Sequence, residues 1–254
     1  MQIKKTIKSL APSLFLFFLG SCKKEASSNN TPVSTDRVKT YSEDVTAAGG
    51  GSHTVTTYNL TYDASNRLIS FISASDPGNK ILYTYTAYNS FSSDTYVGNV
   101  LDIHEDFYFL NNFLDSTYQY NGDGDTTTEK YLYDFGNISR VFEYDYSKQS
   151  GATLTNSITN TYDNNGNEVS SEGTDGNGET YEFYTDSSYV HPLIGPPLVP
   201  TIKHNLIKKY SLTSDNVVVG SATFTYTFDG NNRISTEKAV SDDGGVVIKT
   251  YTYF

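Results

Sequence analysis

Residues 222–234 read Ala-Thr-Phe-Thr-Tyr-Thr-Phe-Asp-Gly-Asn-Asn-Arg-Ile. Ala222, Phe224, Tyr226 and Phe228 take every second position, and Thr223, Thr225 and Thr227 fill the gaps. Alternation at period two is the pattern of a half-buried antiparallel strand, with one face packed and one wet. Asp229 to Asn232 then offer residues that accept positive φ, and Ile234 opens a return run, so the stretch reads as a hairpin. Tyr58, Leu60 and Tyr62 alternate in the same way with Asn59 and Thr61. So do Ile81, Tyr83 and Tyr85 with Leu82, Thr84 and Thr86, and Tyr251 and Tyr253 with Thr250 and Thr252. Tyr, Phe, Val, Ile and Thr are also the residues that fit a pleated sheet.

Turn signals recur along the chain at Ala64-Ser65-Asn66, Asp76 to Asn79, Asn121 to Gly124, Asn164 to Asn167, Asp175 to Gly178, Gly230 to Asn232 and Asp242 to Gly245. Counting the runs between them predicts an all-β, antiparallel up-and-down meander of about 14 strands. A sheet that long curls or closes, because free edges invite aggregation, so a barrel, half-barrel or curved sheet is expected. Helical spacing is nearly absent, and the best candidate is one turn near Asn205 to Lys209. Ala47 to Ser52 reads as a long hairpin loop rather than a domain boundary.

Composition narrows the class. Aromatics make up 14% of the 254 residues, with 22 Tyr and no Trp, which argues against an acidic disordered chain. One Cys and four His exclude a disulfide framework and a Cys-rich zinc site. At the N-terminus, Lys4, Lys5 and Lys8 precede the apolar run Leu10 to Leu19, which is too short for a permanent membrane helix. Leu19-Gly20-Ser21-Cys22 follows, with small residues just before the single cysteine. That order resembles the lipobox of bacterial lipoproteins and implies acylation of Cys22. Residues 1–21 are then a signal peptide, 22–36 a flexible polar tether and 37–254 one β domain. Loss of the three leader lysines takes the formal charge from -11 to -14. A chain that acidic is repelled by nucleic acid, which is excluded as a partner.

A degenerate repeat sits on the hairpins. Tyr62-Asp63-Ala-Ser-Asn66-Arg67-Leu68 matches Phe228-Asp229-Gly-Asn-Asn232-Arg233-Ile234 position by position. Tyr162-Asp163-Asn-Asn-Gly166-Asn167 is a looser copy, and Tyr133-Asp134-Phe-Gly136-Asn137 a weaker one. These segments resemble the tyrosine-aspartate (YD) hairpin repeats of bacterial surface and toxin-encapsulating proteins. A closer likeness is to Bacteroidota lipoproteins with a lipobox, Tyr-Thr-Tyr strands, such turns, and an Asn-Leu-x-Lys-Lys segment, here Asn205 to Lys209. That group carries a domain of unknown function with a porin-like fold. The resemblance implies a closed or nearly closed antiparallel barrel and implies no activity.

A membrane-spanning barrel needs an aliphatic outer belt with aromatics in girdles at its ends. Here Tyr83, Tyr85, Tyr226, Tyr251 and Tyr253 sit in mid-run. Glu143 and Asp145 oppose Phe142, Tyr144 and Tyr146 on one strand. A phenol in hydrocarbon needs a partner. A porin-like but water-soluble wall is therefore expected, lipid-anchored at the outer membrane. The terminal Phe254 resembles the closing aromatic of outer-membrane barrels, but Thr250 and Thr252 share its face.

Candidate sites are few. Asn121, Asp123 and Asp125 begin like a calcium loop, but Thr126 replaces its glycine and Leu132 its final glutamate, so a polar hairpin tip is favoured. Asp175, Asn177 and Glu179 read the same way. His104, Glu105 and Asp106 could seed a metal site, but His53, His191 and His204 lie far off in sequence. Residues 190–200, with four prolines among aliphatics, are a plug or an exposed loop. Tyr83, Tyr85, Tyr226 and Tyr251 could stack sugars, although filling a wide core is the favoured role. No cofactor is expected. The leading reading is a non-enzymatic cell-envelope lipoprotein with a structural or ligand-binding role. Alternatives are a glycan-binding surface protein using tyrosines and a carboxylate-based envelope hydrolase. The expected partners are the membrane, through the Cys22 anchor, and a glycan or envelope protein.

Overall fold

The computed structural model describes residues 37–86, 90–111, 113–121, 126–134, 136–147, 151–184, 206–213 and 217–254. Among the described residues, sixteen strands form one closed barrel. They are β1 (Val38–Thr46), β2 (His53–Tyr62), β3 (Leu68–Ser73), β4 (Lys80–Tyr85), β5 (Ser90–Val97), β6 (Val100–Leu110), β7 (Phe113–Asn121) and β8 (Thr126–Asp134). The second half comprises β9 (Asn137–Ser147), β10 (Gly151–Tyr162), β11 (Glu168–Gly173), β12 (Gly178–Phe183), β13 (Leu206–Leu212), β14 (Val218–Phe228), β15 (Ile234–Ser241) and β16 (Val246–Tyr253). Each strand pairs antiparallel with its sequence neighbours, and β16 returns to β1 with Tyr251 opposite Tyr41.

Two sequence expectations are corrected. The described residues form sixteen strands, not about fourteen. Short strands such as β11 and β12 carry little apolar alternation, because their inward positions include Ser171, Gly173 and Glu179. The helical turn near Asn205 to Lys209 is instead strand from Leu206 onward. Lys208 pairs with Thr223 and Lys209 with Ala222, and this ladder overrides a weak local preference. The Ala47 to Ser52 segment is a hairpin loop joining β1 to β2, with a short 3-10 turn at Ala48–Gly50. The N-terminal 36 residues, the 190–200 segment, His191, His204, Asp123 and Asp125 lie outside the described residues.

The Asp turns explain how hairpins are set at one end of the barrel. Asp63 Oδ1 accepts the amides of Ser65 and Arg67, both at 2.9 Å, and Oδ2 takes Arg67 Nε at 2.7 Å. Asp229 does the same with Asn231 and Arg233. In the third copy Asp163 accepts Asn165 and Asn167 amides and the Asn167 side chain. Asn66, Asn232 and Gly166 occupy equivalent positions at φ 68°, 61° and 78°. Burial alone would raise the Asp63 carboxyl, but the Arg67 and Ser65 hydrogen bonds hold it below its usual value.

The turns after Tyr62, Tyr133 and Phe228 each adjoin a bulge that places a buried aliphatic on the inner side, while the bulge at Tyr162 places Glu168 there. Register slips at Tyr62 against Leu68, at Tyr133 against Ile138 and at Phe228 against Ile234. The core forms behind the bulges. One cluster joins Val38, Tyr41, Leu60, Leu68, Phe71, Ile81, Ile234 and Tyr251, and a second joins Phe91, Phe107, Leu114, Tyr131 and Ile138. Tyr83 packs against both clusters. Sixteen-stranded porins leave an aqueous channel. Here bulky inward side chains fill the end of the barrel that carries the Asp turns.

Candidate functional site

The inner wall is built from the alternate positions that the register aligns. Nearest the Asp turns, five even-numbered strands end in a tyrosine whose hydroxyl reaches the preceding strand. Tyr62 donates to the Val38 carbonyl, Tyr85 to Leu68, Tyr133 to Leu114, Tyr162 to Ile138 and Tyr253 to Ile234, at 2.6–2.9 Å. Every acceptor belongs to a buried aliphatic. Burial is the main reason that the Tyr62 and Tyr85 phenols are pushed up to about 12. Arginines from the turns stack outside this ring: Arg67 lies 4.3 Å from the Tyr85 ring centre and Arg233 4.1 Å from that of Tyr253. For Tyr62, Tyr133 and Tyr162 the sequence signal was an aromatic just before an Asp, whereas Tyr85 and Tyr253 precede Thr86 and Phe254 and carry no such mark; every acceptor lies 17 to 24 residues away and is not legible locally.

Further along the barrel axis the wall turns polar. Tyr41 donates to Glu43 and Tyr181 to Glu179, both at 2.6 Å, and Tyr131 donates to Glu129. Glu237 faces Lys249 in register with Nζ–Oε1 at 2.9 Å, and Lys209 pairs with Glu179. Burial, then the Glu129 charge, pushes Glu105 up to about 7. Burial, then Glu179, does the same for Glu168. Glu129 is also raised, by burial first and by Glu143 opposite it, against the Tyr131 hydrogen bond that lowers it. Burial holds Lys209 below its usual value. The barrel is thus apolar inside near the Asp turns and carboxylate-rich further up.

The four candidate tyrosines all lie on the inner wall. Tyr251 is 3% exposed and stacks beside Tyr41, with ring centres 5.6 Å apart. Tyr83 packs between the two core clusters, Tyr85 closes on Leu68, and Tyr226 lies in register with Glu237. The candidate metal cluster separates, because Glu105 points inward while His104 and Asp106 take the outer face. His53 binds Asp44 at 2.8 Å. Asp175 Oδ1 accepts the Asn177 amide, whereas Glu179 points into the barrel. Among the described residues no group of three or more His, Cys, Asp or Glu side chains could hold a metal ion.

On β1–β3, β10–β11 and β14–β16 the outer wall carries ladders of hydroxyl side chains. Thr40 bonds Thr252 at 2.6 Å, Ser42 bonds Thr57 at 2.7 Å and Thr61 bonds Ser70 at 2.5 Å. The same ladder recurs between Thr161 and Ser170 and between Thr227 and Thr236.

These features define a porin-like, all-β closed barrel. No family model matches the chain, and no curated protein matches it. Among solved structures the barrel is similar to a porin-like protein from Bacteroides uniformis, with TM-score 0.60 and 12% identity over 85% of this chain and 96% of that one. It is also similar to a porin-like protein from Bacteroides vulgatus, with TM-score 0.52 and 9% identity over 86% of this chain and 99% of that one. At these identities the likeness is one of fold.

Proposed function

We propose that the chain is a cell-envelope lipoprotein, held at the outer membrane by acyl chains on Cys22, whose barrel stands in water and has a structural or ligand-binding role without catalysis. The observation that carries this reading is the outer wall of Thr–Thr and Thr–Ser pairs where a membrane barrel would need aliphatics. Such a wall needs a separate device to stay at the membrane, and the leader ending in Leu19-Gly20-Ser21-Cys22 supplies one. The inward groups support a structural role, since carboxylates are occupied by neighbours, Glu237 by Lys249 and Glu43 by Tyr41.

The test compares the full chain with Cys22→Ser in cells fed radiolabelled palmitate, followed by detergent phase partitioning. The wild type is expected to carry label and enter the detergent phase. The variant is expected to lose both while keeping a β-sheet circular dichroism spectrum. A Cys22→Ser chain that still partitions with detergent would place the barrel itself in the membrane and overturn the reading.

A further inference from the structure

Four neighbouring strands depart from the hydroxylated outer wall. On β6 to β9 the outward positions opposite or beside Ser and Thr are taken by Tyr108, Tyr118, Tyr120, Phe142, Tyr144 and Tyr146. Tyr108 and Tyr120 are each 43% exposed and Tyr146 50%. Tyr108 and Tyr118 meet edge to face with ring centres 5.6 Å apart. These rings contribute nothing to either inner core cluster. The inner wall of the same strands is already filled by Phe107, Tyr131 and Val141. The outer aromatics are thus surplus to the packing that holds the barrel together.

At one margin of this face lies a polar hand. His104 Nδ1 is 2.5 Å from Asp94 Oδ1, its Nε2 is 3.4 Å from Asp106 Oδ1, and its ring centre lies 5.8 Å from that of Tyr120. Both carboxylates are partly exposed and keep lone pairs for a further donor. Carboxylate acceptors beside exposed aromatic rings are what a pyranose requires: C–H faces that rest on rings, and hydroxyl edges that donate hydrogen bonds. Tyrosine suits this use because its body is apolar and its tip wet.

We propose that the outer face of β6–β9 is a binding surface for a neutral polysaccharide, which lies across Tyr118, Tyr120 and Tyr144 and bonds its hydroxyls to Asp94 and Asp106. Charge selects among occupants. The net charge of -11 on the whole chain, with Asp94 and Asp106 at the margin beside Tyr118 and Tyr120, opposes anionic lipid and acidic glycans there, although Lys130 and Arg140 stand beside Phe142 at the other margin. A neutral, hydroxyl-rich chain meets no such penalty.

The test is affinity electrophoresis of the full chain in native gels cast with amylopectin, xylan or galactomannan, with polygalacturonate as the acidic control. Retardation is expected in at least one neutral gel and in no acidic gel. Tyr120→Ala and Tyr144→Ala should each weaken it at least tenfold, while Thr225→Ala on a distant wall leaves it unchanged. Should an alanine variant fail to fold, Asp106→Asn gives a second arm with an expected loss of threefold or more. No retardation in any neutral gel, or retardation that survives both tyrosine variants, would overturn the proposal. A dimer in sedimentation that Tyr144→Ala dissolves, without glycan binding, would also overturn it and assign the face to self-association.

Discussion

Replacing the ring tyrosines by phenylalanine removes one hydroxyl each and changes nothing else in shape. Tyr62, Tyr133 and Tyr253 each donate to a carbonyl of a residue at most 2% exposed, namely Val38, Leu114 and Ile234. Water does not replace the lost donor at such sites, so each substitution should cost about 1 kcal/mol, the net worth of one intramolecular hydrogen bond. Tyr162 should cost less, because the Asn160 side chain also donates to the Ile138 carbonyl, at 3.2 Å. For a barrel of this size about 1 kcal/mol lowers the melting temperature by roughly 2–4 °C. Tyr133 packs on the second core cluster and adds independently, whereas Tyr62 and Tyr253 both adjoin Val38 and couple, so a Tyr62, Tyr133 and Tyr253 triple variant should lose about 2–3 kcal/mol. That is a large share of the 5–15 kcal/mol typical of a folded domain. Urea and thermal melts followed by circular dichroism would measure it, with Tyr146→Phe on the outer wall as the control. Single variants that melt with the wild type, or a control that falls as far as they do, would refute the view that these hydroxyls lock neighbouring strands.

Other outcomes follow from the same geometry. Glu105 and Glu168 hold protons up to about 7 when folded, against an ordinary 4.5, so the native state binds more protons than the unfolded chain in that window. Stability should therefore be greatest near pH 5 and fall as pH rises through 7, by at most about 3 kcal/mol per group; urea midpoints that rise from pH 5 to 8, or a slope that Glu105→Gln does not flatten, would contradict this. Below about pH 4 the trend should reverse, because the turn carboxylates Asp63, Asp163 and Asp229 are held low by their hydrogen bonds and lose them on protonation. Lys249→Met leaves the buried Glu237 without that cation and should cost about 3 kcal/mol, much of it recovered in the Glu237→Gln and Lys249→Met double variant; a double variant no better than the single would deny the pairing. Gly166→Ala should destabilise by about 1 kcal/mol, since φ is 78° there, whereas Asn66→Gly in the equivalent turn should be nearly neutral by chemical denaturation.

The sequence by itself determined the class of fold and the local turns. Alternation such as Ala222 to Phe228 and the Asp63, Asp163 and Asp229 turns act within a few residues, so their physics is complete in the local chain. It did not determine which face looks inward. Period two is symmetric under a flip, and β9 offers Glu143 on one side and Phe142, Tyr144 and Tyr146 on the other. Hydrophobicity alone would bury the aromatics. The structure turns Glu143 in, because register fixes the strand as a unit: Val141 must meet Tyr131 in the core, which carries Glu143 in opposite Glu129 and leaves the aromatics outside. The tyrosine ring, the inner carboxylates and the exposed aromatic face are all consequences of that global choice. Closure of β16 on β1, between residues two hundred or more positions apart, then carries one consistent choice of face around the whole barrel.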